Sequence, residues 1–216
     1  MIDVIIIGAG GHSAEIDEYI IHSQKTKGIE EIRISGFLDD NPASYAAYEF
    51  SAPFIGSLKE HKILKDHFYI IGIANLNYRR IFIDKFTAEG AKFISFFHVN
   101  AYISPSAIIG EGTIIGPHVN VGPNAILGSY NLINSRCSLG HDTQIGSYNF
   151  ISPNVCFSGF TKIGDENLFG INAATIPGIS VGNKNKIAAG MVLDQNVGDD
   201  SIVFYRFKER IIAIPR

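Results

Sequence analysis

The sequence predicts an α/β N-terminal domain of Rossmann-like type followed by a left-handed parallel β-helix built from hexapeptide repeats. Three observations carry that fold class. Aliphatic residues recur every six positions through the second half of the chain. The N-terminal stretch reads as strand, glycine-rich turn, helix and strand. Glycine supplies 22 of the 216 residues while tryptophan is absent, a composition suited to a backbone that turns tightly and often.

Residues 3–7 (Asp-Val-Ile-Ile-Ile) form a short apolar run of the kind found in a strand buried on both faces. Gly8-Ala9-Gly10-Gly11-His12-Ser13 follows as a tight turn, and residues 14–23 place Ile16, Tyr19 and Ile20 at helical spacing. Residues 32–38 make a second strand that runs into Asp39-Asp40-Asn41-Pro42. A third strand is expected over 69–73, then Ala74-Asn75 and a helix carrying Arg79 and Arg80. This alternation points to a small parallel sheet. Glycines at such a turn let backbone N–H groups approach a phosphate at a helix N-terminus; they would equally permit close strand–helix packing alone. A complete dinucleotide site is not expected. Ser13 replaces the third glycine of the G-x-G-x-x-G pattern, and the acidic pair starts 29 residues after Gly10 instead of about 20.

From Ile103 a six-residue step lands on Ile109, Ile115, Val121, Leu127 and onward to Leu193 without slipping. Fifteen of these sixteen positions are apolar, Thr175 being the exception; at 46% apolar composition chance gives about seven. Glycine follows the aliphatic at nine positions, from Gly110 and Gly116 to Gly182. Two residues before it stand small or short polar side chains, as at Ala107, Thr113, Ala125 and Asn167. A period of six suits neither a helix nor an alternating strand. It suits a short strand with one inward aliphatic and a small residue where the chain bends. Stacked units then bury a column that no single repeat could bury alone.

Composition narrows the function. The net charge of −3, from 18 Lys+Arg against 21 Asp+Glu, and the absence of a basic block argue against nucleic acid or an anionic membrane as partner. Apolar runs such as 4–7 are too short to span a bilayer, and Met1 leads into that run with no basic n-region, so no secretory signal is expected and a cytoplasmic setting is the default. Cys137 and Cys156 are too few for a disulfide framework or a zinc site.

Of the seven histidines only His118 and His141 lie well inside the repeats. His141 stands two residues after inward Leu139, at an outward place, with Asp142 adjacent. A carboxylate there raises the basicity of the imidazole and fixes its tautomer, as general-base chemistry requires. A solvated histidine beside an ordinary aspartate is the plainer alternative, and His118 is the weaker candidate. Two histidines fall short of the three that β-helical carbonic anhydrases use, so no metal is expected.

The Gly8-Ala9-Gly10-Gly11-His12 turn, the Phe37-Leu38-Asp39-Asp40 strand end and the hexapeptide frame together resemble one family over nearly the whole chain. It is that of the bacterial sugar acyltransferases related to sialic acid O-acetyltransferases and UDP-4-amino-sugar N-acetyltransferases. The resemblance implies a homotrimer that moves an acetyl group from acetyl-CoA to the amine of a nucleotide-linked amino sugar. O-acetylation of sialic acid or another sugar hydroxyl is the alternative. Rivals of other classes are a non-catalytic nucleotide-sugar-binding scaffold and an NAD-dependent oxidoreductase.

Carried onto this chain, the resemblance implicates Gly10, Gly11, His12, Asp39, Asp40 and Ala74 in holding the nucleotide part. Backbone amides suit a pyrophosphate, and carboxylates suit donors of a base or ribose. His141 and Asp142 fall on the catalytic His–acid pair, His141 as general base in direct attack on the thioester. Acetyl-CoA would lie in a groove between neighbouring β-helices, against Ile171 and Ala189. Phe150 stands where relatives have a coenzyme-contacting histidine, and Asp194 where many have a basic residue. Three hexapeptides complete one triangular coil in that family, so residues about 18 apart stack. Gly159 then lies one coil beyond His141 and is expected to leave room for the thioester, while Cys137 and Cys156 should not face each other. The expected domains are residues 1–97 for the nucleotide sugar and 98–216 for the β-helix. The aromatic and basic tail from Ser201 to Arg216, which lacks the usual Val-Pro-Ala-Lys ending, is expected to cap the last coil.

Overall fold

A computed structural model describes residues 1–205, so Arg206 to Arg216 of the expected cap lie outside the described residues. The chain opens with β1 (Ile2–Ile7), whose residues 4–7 are fully buried. Helix α1 (Gly11–Lys27) follows and ends on Gly28 in the left-handed conformation, φ 68°, the usual way to stop a helix. Next come β2 (Ile32–Leu38), a short α2 (Pro42–Ala46) capped by the Asn41 side chain, and β3 (Phe54–Gly56). The unit closes with β4 (Phe68–Ile71), α3 (Leu76–Ala88) and β5 (Lys92–Phe93). All five strands are parallel, in the order β3-β2-β1-β4-β5. The order reverses at β1, so the loops after β1 and β4 lie side by side where open α/β sheets bind ligands.

The β-helix begins at Phe96–Phe97, immediately after β5. Each coil lays one two-residue strand on each of three faces. The domain face carries Phe96–Phe97, Ile114–Ile115, Leu132–Ile133, Phe150–Ile151, Leu168–Phe169, Lys186–Ile187 and Ile202–Val203. The second face includes Asn120–Val121, Ser138–Leu139, Cys156–Phe157 and Ala174–Thr175; the third includes Ile126–Leu127, Gln144–Ile145, Lys162–Ile163 and Ser180–Val181. The second residue of each strand points inward: Ile115, Val121, Ile133, Leu139 and Ile151 are fully buried in one continuous core. The six-residue frame ends after Leu193, and the closing pairs Val181–Val197 and Ile187–Val203 show a last coil of 16 residues.

Corner geometry differs from the expectation that the glycine after each aliphatic makes the bend. The left-handed backbone belongs to a residue two further on, every six positions through Gly112, His118, Asn124, Tyr130, Arg136 and Asp142. The glycines are needed for a different reason. A Cβ on Gly122 would lie 2.8 Å from His141 N, and one on Gly140 2.7 Å from Gly159 N. Adjacent coils approach too closely for any side chain there.

The outward residues of the domain face, Phe96, Ile114, Leu132 and Phe150, pack with Val4, Ile6, Phe37 and Ile70 of the α/β unit. The corner between third and domain faces adds Tyr130 and Tyr148, which pack with Phe93, Ile83 and Phe86. A buried asparagine column (Asn131, Asn149, Asn167, Asn185) lines that corner from inside, each Oδ1 accepting from the backbone N–H one coil on.

Candidate active site

His141 and Asp142 turn the corner between the second and third faces, opposite the domain face. Asp142 has φ 55°, and its N–H donates to Pro123 O at 2.9 Å. The left-handed turn folds its carboxylate back onto the preceding ring, where Nδ1 and Oδ2 are 2.8 Å apart. Oδ1 accepts from Asn124 Nδ2 at 3.2 Å, one coil earlier. The His141 contact first and the Asn124 contact second hold the Asp142 carboxyl below its usual range. An ionised carboxylate can only accept, so Nδ1 carries the proton and Nε2 presents a lone pair.

The imidazole is seated as well as oriented. A Cβ on Gly159 would come within 2.6 Å of both Cε1 and Nε2, so the space above Gly159 is filled by the ring itself, not left open beside it. Phe160 meets the ring edge-to-face, centroids 5.0 Å apart at 88°. Asn124 and Phe160 were not singled out from sequence; one coil of separation from Asp142 and His141 is the signal that finds them.

At the first loop Asp39 ties two elements together. Its Oδ2 accepts from Ala9 N–H and its Oδ1 from Asn41 N–H, both at 2.8 Å. Asp40 is exposed and accepts from Lys59 N–H at 3.3 Å. Gly10 caps α1 without a side chain, and Tyr48 Oη leans over Gly11 at 2.8 Å from a would-be Cβ. His12 Nδ1 meets Glu15 at 3.1 Å, while its buried Nε2 has no partner. Ser13, the departure from the glycine fingerprint, donates to Gly72 O at 3.2 Å, and a Cβ on Gly72 would fall 2.2 Å from Ser13 Oγ. Close helix–strand packing is kept by moving the glycine from helix to strand.

Ala74 and Phe150 line a single cleft of about 520 Å³ between the start of α3 and the β-helix. Phe150 thus lies against the α/β unit, away from the other expected coenzyme contacts. Ile171 and Ala189 stack one coil apart on the corner between domain and second faces, and Gly159 lies across the second face from them. Cys137 is buried, its thiol pushed up to about 12 by desolvation, and exposed Cys156 points out of the coil. His118 is an exposed corner residue between domain and second faces. No group of three or more His, Cys, Asp or Glu side chains among the described residues could hold a metal ion, and no helix there is long and apolar enough to cross a membrane.

A parallel α/β unit docked on a triangular β-helix, with a seated His–Asp pair on a free corner, defines a hexapeptide-repeat protein. Residues 3–86 match the PglD N-terminal domain family. UDP-N-acetylbacillosamine N-acetyltransferase of Bacillus subtilis (strain 168) is 28% identical over 117 residues, 53% of this chain and 51% of that protein; the match spans about half the relative's length. The acetyltransferase domain of PglB from Neisseria gonorrhoeae FA1090, solved in complex with acetyl coenzyme A, superposes with TM-score 0.80 at 27% identity, over 93% of this chain and 94% of that one. PerB from Caulobacter crescentus, solved with CoA and GDP-perosamine, shares the fold with TM-score 0.77 at 24% identity, over 93% and 92% of the two chains. Over nearly its whole length the chain therefore shares its fold, an α/β unit followed by a left-handed β-helix, with the acetyltransferase domain of PglB and with PerB.

Proposed function

We propose that the protein transfers the acetyl group of acetyl-CoA to the amine of a nucleotide-linked amino sugar. The observation that carries this reading is the His141 imidazole, oriented by Asp142 and seated on Gly159 with Nε2 free to accept a proton. His141 takes the proton of the attacking amine as nitrogen adds to the thioester carbonyl; the tetrahedral intermediate then expels the coenzyme A thiolate. Neither cysteine serves as the nucleophile of an acyl-enzyme in this reading: Cys137 is buried with a raised pKa, and Cys156 lies on a different strand from His141. The relatives named above, an N-acetyltransferase of a UDP-linked sugar and a domain holding acetyl coenzyme A, support both the donor and the acceptor class.

The acceptor's nucleotide part sits at the Gly10–His12 loop, near Asp39, Asp40 and Ala74. That loop belongs to the unit covering the domain face, whereas His141 is on the opposite corner. A complete site therefore needs the His141 corner of a second copy, in a cyclic homotrimer whose grooves also hold acetyl-CoA. Release of free thiol from acetyl-CoA, followed across UDP-, GDP-, dTDP- and CMP-linked amino sugars, tests the reading. Turnover is expected with one amino-sugar nucleotide, and His141→Ala should lower its rate by roughly 10²–10⁴-fold. Thiol release only with sugars lacking an amine would replace N- by O-acetylation; none with any acceptor would remove the enzymatic reading.

A further inference from the structure

Fifteen of the sixteen inward positions of the six-residue frame are apolar, and the polar one, Thr175, is buried. It stands on the second face, next to the corner that seats His141. The ladder between coils is broken at this point. From Phe96–Phe97 to Val192–Leu193, neighbouring strands of a face register through both residues, as Ser138–Leu139 does with Cys156–Phe157. Between Cys156–Phe157 and Ala174–Thr175 only Cys156 and Ala174 do so.

The bond replaced here is the one from Ser158 N–H to Thr175 O. At the same place in earlier coils Gly122 and Gly140 donate to Leu139 O and Phe157 O at 2.8 Å. Serine alone does not break the pattern: Ser104 on this face and Ser152 on the domain face keep the bond, to Val121 O at 2.9 Å and Phe169 O at 3.0 Å. Thr175 is what differs. Its Oγ1 accepts from Ser158 N–H at 3.1 Å, while Ser158 Oγ donates to Thr175 O at 2.7 Å. Two hydroxyls stand where one direct bond would. Thr161, fully buried, closes a ring: its Oγ1 donates to Ser158 O at 2.7 Å and lies 2.9 Å from Thr175 Oγ1. A hydroxyl has one proton to give, so Thr175 donates to Thr161 and every bond of the ring has a fixed direction.

Stability does not account for this ring. Replacing buried hydrogen-bonded partners by apolar groups of the same shape is close to neutral, and a valine at 175 would continue the aliphatic column. Position does account for it. The ring grips Ser158 by its N–H, Oγ and C=O, and that carbonyl shares one planar peptide with Gly159 N. Gly159 is the seat of the imidazole, a Cβ there falling 2.6 Å from His141 Cε1 and Nε2. One coil earlier, fully buried Thr143 donates to Gly140 O at 2.7 Å and braces the peptide that leads into His141. The peptide that carries the imidazole and the peptide that seats it are both fixed from inside the coil.

We infer that the hydroxyls of Thr175, Thr161 and Ser158 form a positioning device for the base of acetyl transfer. Thr175 keeps the two coils from closing into the regular ladder and so sets where the Ser158–Gly159 peptide lies against His141. The inference rests on the reading of His141 as general base and adds to it Thr161 and Thr175, buried residues that reach the reaction only through Gly159.

Two substitutions separate hydroxyl from shape. Thr175→Val keeps the shape and frees Ser158 N–H to take the regular bond to the carbonyl of residue 175; Thr175→Ser keeps the hydroxyl. With acetyl-CoA and the amino-sugar nucleotide that turns over, Thr175→Val should lower kcat about tenfold, part of the hundredfold that a full ångström costs. Both KM values should stay within about twofold and the melting temperature should not fall. Thr175→Ser should hold kcat within about threefold of the parent. The His141 Cε1 resonance, assigned by its loss in His141→Ala, should move in the valine variant and stay in place in the serine one. A parental kcat in Thr175→Val, or an unmoved His141 resonance, overturns the inference, and so does an equal loss of kcat in the valine and serine variants. If Thr175→Val melts lower than the parent, Thr161→Val decides by the same kcat and resonance. Parental turnover in His141→Ala, or none by the parent with any acceptor, would remove the base and this inference with it; a slowed His141→Ala beside a parental Thr175→Val removes the inference alone.

Discussion

The His141 ring is constrained on three sides, and each constraint has a residue that can be changed alone. Gly159 has an ordinary backbone φ, so an alanine there strains nothing in the chain; its Cβ would only strike the ring, 2.6 Å from Cε1 and Nε2. Gly159→Ala should therefore leave the melting temperature unchanged while lowering kcat by about a hundredfold, the cost of displacing a catalytic group by an ångström. A normal rate in that variant would mean that the seated position is not the catalytic one. Asn124→Ala removes only the outer support of Asp142 and should cost less than Asp142→Asn, which lets the ring lose its fixed tautomer. Steady-state rates for the two variants give the order; a larger loss for Asn124→Ala would contradict it. The His141–Asp142 pair was legible because its members are adjacent in the chain. Asn124, Gly159 and Phe160 belong to it through stacking, so only the coil period reveals them.

Between elements, the contact of α1 with β4 shows how a motif can be broken and its packing kept. Ser13 Oγ occupies the space that the third glycine of the fingerprint leaves empty, and Gly72 on the strand side yields it. Gly72→Ala should destabilise by about 1–3 kcal/mol through overpacking. Adding Ser13→Gly should recover most of that loss, and denaturant unfolding of the four variants yields the coupling. Equal losses in single and double variants would show that the serine is not the obstacle. The period of six and the long helices were legible because each repeats its signal. Phe54–Gly56 and Lys92–Phe93, three and two residues long, carry no period of their own and are strands only because β2 and β4 offer an edge. The corner conformation was illegible for a different reason: residues as unlike as Tyr130, Glu166 and Lys184 all adopt the left-handed backbone that the register of neighbouring coils imposes.

Across the whole molecule, the two units meet through a histidine junction as well as the apolar domain face. His98, 5% exposed, stacks on His22 of α1 with centroids 5.3 Å apart, and its Nδ1 accepts from Asn100 N–H. Burial first, then the charges of His22 and His118, lower its pKa. The unfolded chain thus takes up this proton at the ordinary imidazole value of about 6.5 while the folded one resists it. Stability conferred by the junction is present above that pH and is lost as the pH falls below it. Melting temperatures should be flat above about pH 7 and drop toward pH 5.5, with a smaller drop in His98→Gln; an identical drop in both would place the effect elsewhere. Docking also bears on the proposed site. The α/β unit covers one face and the corner at Tyr130 and Tyr148, and His141 lies a further face away, up to about 20 Å of extended hexapeptide. If base and nucleotide loop work together only across a protomer boundary, two inactive variants can repair each other. Co-refolding His12→Ala with His141→Ala in equal amounts, under conditions where each alone is silent, should form mixed trimers. A site is whole when an intact loop faces an intact base, so random assembly restores about one quarter of the parental rate. Mixed trimers with no activity would instead require loop and base to act within one chain, against the placement of His141 on the corner opposite the domain face.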